Sequence, residues 1–314
     1  MIKVILVGLG HLGKWHAQKI DLLQEAEFLA VVDPAEESEK KIQELKLDVP
    51  LYRSLDDLSL DFDAAIVAVP TSFHFEICKK LLEMSKHVFC EKPMTSTYSQ
   101  AIELSHIQET KNVVFQVGHS ERFHQVWESI KDKKEYFEDR PLIYSNRQAS
   151  FKGRATDVDV VQDLMIHDLD ILLFLLNEIP SSIKAKGKKI RTDKWDYVEA
   201  TLEFPSGSVA SLRVGRNYTH EVRDFEVVNS CGTLRVDLFK GNFYEASGSA
   251  KEPDNFVVES VYPKRDHLLE EQKLFYHAIN NETAPCVNIQ DGLKAVYLVE
   301  KVLESLETGC IVEC

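Results

Sequence analysis

Three ionisable side chains, Asp163, His167 and Asp170, lie in a largely apolar segment that runs DVVQDLMIHDLDILLFLL. At about 100° per residue, an α-helix through this segment brings the three side chains within roughly 60° of one another, and Asp168 elsewhere on the helix surface. Burying ionised groups is costly unless they are paired, so this stripe should face other polar groups or a wet cleft. A histidine oriented by a carboxylate is suited to act as a general base.

A second motif, GLGHLG at Gly8–Gly13, directly follows the apolar run Ile2–Val7 and precedes a helical pattern. In this strand–turn–helix context the glycines indicate dinucleotide binding, with a tight turn, close approach of a pyrophosphate and close helix packing. We place Gly8, Gly10, His11, Leu12 and Gly13 in the cofactor site.

The run FLAVVD ends in Asp33, where an acid can accept hydrogen bonds from ribose hydroxyls and repel a 2'-phosphate. Asp33 therefore predicts NAD rather than NADP as the cofactor. The alternative role for Asp33 is a helix cap in a loop.

Polar residues also follow two further apolar runs: Pro70, Thr71 and His74 follow AAIVAV, and Glu91 and Lys92 follow HVFC. Ligands of parallel sheets bind at the carboxyl ends of the strands, so we expect these residues in the cofactor site. A partly desolvated lysine at the position of Lys92 can take part in proton transfer near the nicotinamide. The alternatives are a surface lysine that caps the strand, and for His74 a hydrogen-bonding role at a helix start.

Two alternatives to catalysis exist for the Asp163, His167 and Asp170 stripe. It could be a satisfied buried His–Asp pair that holds two domains together, or it could offer metal ligands from one helix face. Transfer of hydride from an alcohol to NAD needs a base but no metal, and no additional convergent ligand is evident. The dinucleotide fingerprint and Lys92 in the same chain favour catalysis, and we expect no metal.

The elements that must position these residues alternate between strand and helix in the first half of the chain. Strand patterns occur at Ile2–Val7, FLAVVD, Ala64–Val69, His87–Cys90 and Val113–Val117. Helical stretches between them indicate right-handed crossovers and a doubly wound parallel sheet. We therefore predict an α/β Rossmann domain at residues 1–118.

Beyond about Gly118 the pattern changes to alternating polarity. DYVEATLEF and VASLRVG, joined by FPSGS, predict an antiparallel hairpin with one buried face, and strands are also expected at Leu142–Ala149, Phe225–Asn229 and Thr233–Leu238. We therefore predict an α+β domain at residues 119–314. Its open, mostly antiparallel sheet is expected to serve substrate binding and assembly into a homodimer or homotetramer.

Charge and composition exclude several classes of protein. The formal net charge of −14 disfavours a general nucleic-acid or anionic-membrane surface. The longest apolar run, ILLFLL, is far below membrane-spanning length, and the N-terminus lacks the pattern of a signal peptide. Six cysteines without a CxxC pair indicate free thiols, so we expect a cytoplasmic protein. Because nucleic-acid and membrane surfaces are disfavoured, we expect its partners to be small molecules.

The segments GLGHLG, VVD, VPTSFHFEICKKLLEMSKHVFCEKP and DLMIHDLD resemble the glucose-fructose oxidoreductase, inositol dehydrogenase and MocA-like family of NAD(P)-dependent oxidoreductases. The resemblance covers nearly the entire chain. It implies a catalytic set of Lys92, Asp163 and His167. The usual form of the later motif has a glycine at the position of Met165, so we expect an altered wall of the substrate pocket with unaltered chemistry.

Within that family, GHSERFHQVW and DVDVVQDLMIHDLD are most similar to the branch that oxidises the C3 hydroxyl of UDP-N-acetylglucosamine. The resemblance implies a 3-keto product that is later aminated toward a diamino-sugar lipid A. The alternatives are an inositol or simple-sugar dehydrogenase and, from another class, a non-catalytic NAD-binding regulator.

A nucleotide-sugar substrate requires cations for its diphosphate. Arg122, Arg147, Lys152 and Arg154 lie on segments that lead toward the catalytic helix. We predict Arg122 and Arg154, because arginine is suited to bidentate phosphate recognition. The predicted substrate site comprises these two arginines together with Lys92, Asp163, His167 and Asp170.

Overall fold

The computed structural model describes residues 1–153, 156, 158–248 and 257–314. Arg154, one of the predicted substrate contacts, lies outside the described residues. Among the described residues, no helix combines the length and the apolar character needed to cross a bilayer.

The first sheet has six parallel strands in the order β3-β2-β1-β4-β5-β6. These strands are β1 Ile2–Val7, β2 Ala26–Val32, β3 Leu51–Tyr52, β4 Ala64–Val67, β5 His87–Glu91 and β6 Phe115–Gly118. Strand order reverses between β1 and β4, which is the point where a doubly wound sheet opens a crevice for a ligand. The predicted doubly wound sheet is confirmed.

The second sheet has nine strands in the order β14-β13-β12-β11-β7-β10-β9-β8-β15, and within it β7 and β10 pair in parallel while the other pairs are antiparallel. Its strands are β7 Leu142–Gln148, β8 Ser182–Lys188, β9 Tyr197–Glu203, β10 Val209–Gly215, β11 Val222–Asn229, β12 Gly232–Asp237, β13 Asn242–Ser247, β14 Val257–Val261 and β15 Val312–Glu313. The predicted hairpin is β9 and β10, and its inward residues Val198, Ala200 and Leu202 are buried as expected.

The helices are α1 Gly13–Leu22, α2 Ser38–Leu45, α3 Thr71–Glu83, α4 Tyr98–Glu109, α5 Val126–Ser129, α6 Ile166–Leu176, α7 His267–Asn281 and α8 Ile289–Thr308. A π-helical turn at Val161–Met165 directly precedes α6. The predicted catalytic segment is therefore helical, but its first turn is wider than an α-helical turn. Asp163 belongs to the π-turn and His167 to the first turn of α6.

The chain divides into two compact units. Unit 1 comprises Met1–Ser120 and Asp266–Val296, and unit 2 comprises Glu121–Arg265 and Tyr297–Cys314. The sequence predicted a single division after residue 118, so the assignment of Asp266–Val296 to unit 1 is a correction. The physical reason is burial, because Phe275 and Tyr276 of α7 are buried in the apolar core that also contains β1 and β4 residues.

Candidate active site

The glycines of the loop after β1 have different structural constraints. Gly8 has a φ of +95°, and a Cβ there would lie 2.6 Å from the Ala68 carbonyl oxygen. A Cβ at Gly13 would lie 2.0 Å from the Gly8 carbonyl oxygen, whereas a Cβ at Gly10 would meet no heavy atom within 4 Å. The fold thus requires glycine at positions 8 and 13, and the space beside Gly10 is open for a close approach to the backbone.

Asp33 lies at the carboxyl end of β2 beside this loop. Its Oδ2 accepts a hydrogen bond from the Leu9 backbone N–H at 2.5 Å, and its Oδ1 accepts one from the Ala35 N–H at 2.8 Å. The carboxylate therefore braces the glycine loop. The alternative role as a cap does not apply, because α2 begins only at Ser38.

A cavity of about 840 Å³ lies in unit 1 and is lined by Gly8, Gly10, Asp33 and Pro70, among other residues. Its volume is within the usual range for small-molecule sites. The open space at Gly10, the N-terminus of α1 after the loop and the Asp33 carboxylate fit the pyrophosphate and ribose of a dinucleotide. His11 and Leu12 are exposed on the same loop.

Arg53, which sequence reasoning missed, also lines this cavity. Its Nη1 donates to the Ala35 carbonyl oxygen at 2.6 Å, and its Nη2 donates to Glu39 Oε1 at 2.5 Å. A signal for this residue was its place directly after Tyr52, where a short strand ends at the ligand edge of the sheet. The guanidinium is held by these partners beside Asp33.

His74 joins the segments that follow β4 and β5. Its Nδ1 lies 2.8 Å from the Pro93 carbonyl oxygen, and its Nε2 lies 2.9 Å from the Val69 carbonyl oxygen. Burial lowers the pKa of His74 below its usual value, although the two carbonyl groups oppose this effect. His74 stands in the first turn of α3, which begins at Thr71 after Pro70, and its contacts are those of a structural brace.

Glu91 and Lys92 lie where β5 ends. Glu91 is buried, and its Oε2 accepts a hydrogen bond from the Lys92 backbone N–H at 3.2 Å. Its Oε1 lies 2.7 Å from Nε2 of His16 on α1, a histidine that sequence reasoning missed. Lys92 is partly exposed. The signal for His16 was its position three residues after Gly13, on the helix face that also buries Ala17 and Ile20.

The polar side chains of the catalytic segment in unit 2 fall into two groups. Asp163 and His167 are partly exposed, whereas Asp168 and Asp170 are buried. Asp170 receives two hydrogen bonds from Arg122, at 2.8 Å from Nε and 2.6 Å from Nη2. The predicted stripe is therefore divided, and Asp170 is the carboxylate of a buried, bidentate ion pair.

Asp168 is the partner of Arg147, whose Nη2 lies 3.0 Å from Asp168 Oδ1 and whose Nη1 lies 2.9 Å from Glu121 Oε1. The expectation that Asp168 lies on the surface is wrong, because β7 brings Arg147 against that side of the helix. Burial alone would raise the pKa of Glu121, but the charges of Arg147 and Arg223 outweigh burial and lower it to about 2. This cluster is a structural ion network.

Two further expectations about the substrate site require correction. The Arg122 side chain is only 8% exposed and lies over the Phe174 ring, so it is a structural partner of Asp170 rather than an exposed diphosphate contact. Met165 lies in the π-turn and is fully buried, so it forms no exposed pocket wall. Lys152 pairs with Glu221.

Comparisons with known proteins match both parts of the chain. A family model described as an oxidoreductase family with an NAD-binding Rossmann fold matches residues 2–119, and a GFO/IDH/MocA C-terminal domain model matches residues 135–235. A UDP-N-acetylglucosamine 3-dehydrogenase from Acidithiobacillus ferrooxidans is 30% identical over 87% of each chain. A solved structure of that enzyme has a TM-score of 0.88, with 27% identity over 98% of both chains. A myo-inositol 2-dehydrogenase from Thermotoga maritima is 25% identical over 98% of this chain and 96% of its own length.

Proposed function

The chain belongs to the GFO/IDH/MocA family of NAD-binding oxidoreductases, and from this premise we propose that it oxidises the C3 hydroxyl of UDP-N-acetylglucosamine. The protein is an NAD-dependent oxidoreductase that acts on CH–OH groups, within a family of sugar and polyol dehydrogenases. The product of the proposed reaction is a 3-keto sugar nucleotide, which is a substrate for later transamination.

The observation that carries the proposal is the cavity in unit 1 that fits a dinucleotide, together with the partly exposed Asp163 and His167 in unit 2. The cavity indicates hydride transfer, and Asp163 and His167 supply acid–base chemistry. The choice of a UDP-sugar is supported by the relative of that name, at 30% identity over 87% of the chain.

In the proposed mechanism, Gly8, Gly10 and Asp33 hold the dinucleotide, whose bound nicotinamide supplies the acceptor for the hydride. His167 removes the proton from the sugar hydroxyl as general base, and Asp163 orients the imidazole and stabilises its cation. Lys92 donates a hydrogen bond to the reacting oxygen and stabilises its developing negative charge. Arg154 is the proposed diphosphate contact.

The reaction is tested by NADH formation across a panel of UDP-sugars, free N-acetylglucosamine, myo-inositol and scyllo-inositol. A keto-sugar aminotransferase is added to remove product, because oxidation of a sugar hydroxyl by NAD has an unfavourable equilibrium. We expect turnover with UDP-N-acetylglucosamine. By mass spectrometry the product lacks two hydrogens when the aminotransferase is left out, and carries an amino group in place of the oxidised hydroxyl when the aminotransferase and its amino donor are present. Turnover confined to the inositols would reject the UDP-sugar in favour of a polyol dehydrogenase.

The catalytic roles are tested with His167→Ala and Lys92→Met. We expect each variant to lose about two or more orders of magnitude in kcat, the usual range for removal of an acid–base group, while NAD binding persists. His220→Ala and Lys40→Met are matched controls at exposed positions of the same residue types. Near-normal turnover of either active-site variant contradicts its assigned role.

We further propose that the outer face of the nine-stranded sheet joins subunits into a dimer or tetramer. Leu142 and Tyr144 on β7 are 43% and 45% exposed, whereas Ile143 between them is buried. Exposed apolar side chains of this kind are typical of association surfaces. Sedimentation equilibrium of wild-type protein and of Tyr144→Glu tests the proposal, which is rejected if the wild-type protein is a monomer.

A further inference from the structure

A buried polar cluster lies in unit 1 and has no part in the mechanism proposed above. Its members are at most 6% exposed and come from four elements, α1, β5, β6 and α7: His16, Glu91, Gln116, Glu271 and Gln272. Gln116 Nε2 donates to the Glu271 backbone oxygen at 2.8 Å, which ties α7 to β6. Burying polar groups costs free energy unless each of them has a hydrogen-bond partner. The protonation states of this cluster are therefore strongly constrained.

The contacts of His16 join it to Glu91 on one side of the ring and to Gln272 on the other. Nε2 faces a carboxylate oxygen of Glu91 at 2.7 Å, and a carboxylate can only accept, so Nε2 carries the hydrogen. Nδ1 faces the amide nitrogen of Gln272 at 2.8 Å, so the Gln272 amide holds the other side of the ring. The same amide nitrogen lies 3.3 Å from the His16 carbonyl oxygen, which accepts a hydrogen bond from it. Gln272 Oε1 accepts a hydrogen bond from Tyr276, so both ends of the Gln272 amide have suitable partners.

The two carboxyl groups of the cluster have opposite environments. Glu91 accepts hydrogen bonds from His16 and from the Lys92 N–H. Burial opposes its ionisation, but the hydrogen bond from His16, the electrostatic interactions with His16 and Lys92, and the Lys92 N–H together outweigh burial and lower the pKa of Glu91. Among the described residues, no hydrogen-bond donor reaches either carboxyl oxygen of Glu271. Burial first, and then the charges of Glu91 and Asp266, raise the pKa of Glu271 well above its usual value. The cluster thus contains one carboxylate and one neutral acid.

We propose that His16 is a positioning residue that holds Glu91 as the single carboxylate behind Lys92, and that Glu271 is kept neutral so that this charge stays single. The inference rests on the proposed function in one respect, namely the catalytic role of Lys92. The Glu91 carboxylate accepts a hydrogen bond from the Lys92 backbone N–H and so orients the residue whose side chain donates to the reacting oxygen. A second carboxylate in the same low-dielectric pocket would be repelled by the first.

Other titratable groups also face Glu91. His74 on α3 interacts with the charge of Glu91, and Cys90 precedes Glu91 on β5. Asp266, at the start of α7, interacts instead with Glu271. The tests therefore change one carboxyl group at a time and leave these neighbours in place.

The experiment compares the same chemical change at the two buried carboxyl groups. Glu91→Gln removes the charge, and we expect kcat to fall by about tenfold or more, the effect of losing a charge-assisted hydrogen bond. We also expect NAD affinity to persist in this variant, because Lys92 acts on the reacting oxygen. Glu271→Gln replaces one neutral group by another, and we expect kcat and NAD affinity to stay within about twofold of wild type.

The role of His16 is tested by His16→Leu and His16→Gln. We expect His16→Leu to reproduce the kcat loss of Glu91→Gln while NAD affinity persists, because the donor to Glu91 is lost. We expect His16→Gln to restore most of the activity, because its amide can donate in the same direction. A purely structural role predicts equal activity loss in both His16 variants together with a loss of NAD affinity, and that result overturns the proposal.

A measurement of thermal unfolding against pH requires no substrate and separates this inference from the proposed function. Glu271 has a raised folded-state pKa, so its contribution to stability is complete below the unfolded value of 4.5 and is lost as pH rises through the folded pKa. We therefore expect Glu271→Gln or Glu271→Met to be at least as stable as wild type at about pH 8.5, with the difference shrinking towards about pH 5. Glu91 has a lowered pKa, so its contribution is present above 4.5 and is lost as pH falls through the folded pKa.

We accordingly expect Glu91→Gln to be least stable, relative to wild type, at alkaline pH. If wild-type protein turns over no sugar, the proposed function fails while the unfolding data still decide the charge assignment. A destabilised Glu271→Gln and Glu271→Met at about pH 8.5, with an unaffected Glu91→Gln, would overturn the inference.

Discussion

At the scale of single residues, the hydrogen-bond partners of an acidic side chain, rather than its residue type, distinguish a structural role from a candidate catalytic role. Asp163 and Asp170 are the same residue type on the same helical segment. Asp170 has a bidentate arginine and is buried, whereas Asp163 is partly exposed. Both carboxyl oxygens of Asp170 accept hydrogen bonds from Arg122, so Asp163 is the better partner for His167.

Asp33 provides the residue-scale prediction on cofactor choice. Its carboxylate lines the cofactor cavity, where it would repel a 2'-phosphate, and Arg53 beside it is held by Glu39 and a backbone carbonyl. We expect Asp33→Ser to raise the ratio of kcat/KM for NADP to that for NAD by about tenfold or more, since a like-charge contact costs several kcal/mol. Steady-state kinetics with both cofactors measure this ratio.

Asp63→Ser is the matched control for Asp33→Ser. Asp63 also accepts a hydrogen bond from a backbone N–H of unit 1, that of Lys3, but it does not line the cavity. An unchanged cofactor ratio in Asp33→Ser, or an equal change in both variants, would contradict the assignment of Asp33 as the group that disfavours NADP.

At the scale of elements, ten strands were predicted, whereas β3, β8, β13, β14, β15 and the turn before α6 were not. Alternation in DYVEATLEF determines which face of β9 is buried, because successive side chains of a strand point to opposite sides. The π-turn at Val161–Met165 had no signal in the apolar spacing. Such turns depend on the tertiary packing around the helix, and they are frequent at functional sites.

The loop between β1 and α1 gives the element-scale prediction. Gly10→Ala adds a methyl group in open space, so we expect the melting temperature to be nearly unchanged while NAD affinity falls by about tenfold or more, because the pyrophosphate must approach this backbone. Gly13→Ala places a Cβ 2.0 Å from the Gly8 carbonyl oxygen, so we expect a loss of folding stability. Thermal unfolding and NAD titration distinguish the two effects.

The pair also serves as its own control, since both variants add one methyl group to the same loop. Unimpaired NAD binding by Gly10→Ala would show that the dinucleotide does not approach the loop at this position. A Gly13→Ala variant as stable as wild type would contradict the close packing of α1 on the loop.

At the scale of the whole molecule, the chain returns to unit 1 after building most of unit 2. α7 contributes Phe275 to the core of unit 1, although 145 residues of unit 2, Glu121–Arg265, precede the returning segment. We expect Phe275→Ala to destabilise unit 1 by about 3–5 kcal/mol and to weaken NAD binding. Calorimetric unfolding with and without NAD measures both effects.

Phe225→Ala is the matched control, because Phe225 is equally buried but belongs to unit 2. We expect a comparable loss of stability without a change in NAD affinity. Equal loss of NAD affinity in both variants would contradict the assignment of α7 to the cofactor-binding unit.

The sequence by itself determined the local features of this protein: the parallel sheet, the glycine loop, the position of Asp33 and Lys92 at strand ends, and the alternating strands of the second sheet. Each of these depends on spacing within about twenty residues, where apolar periodicity and glycine geometry are direct signals. Only the tertiary structure decided which buried charges are neutralised and where α7 packs. Arg122 and Asp170 are 48 residues apart in the chain and His16 and Glu91 are 75 apart, and such pairs form through folding rather than local pattern.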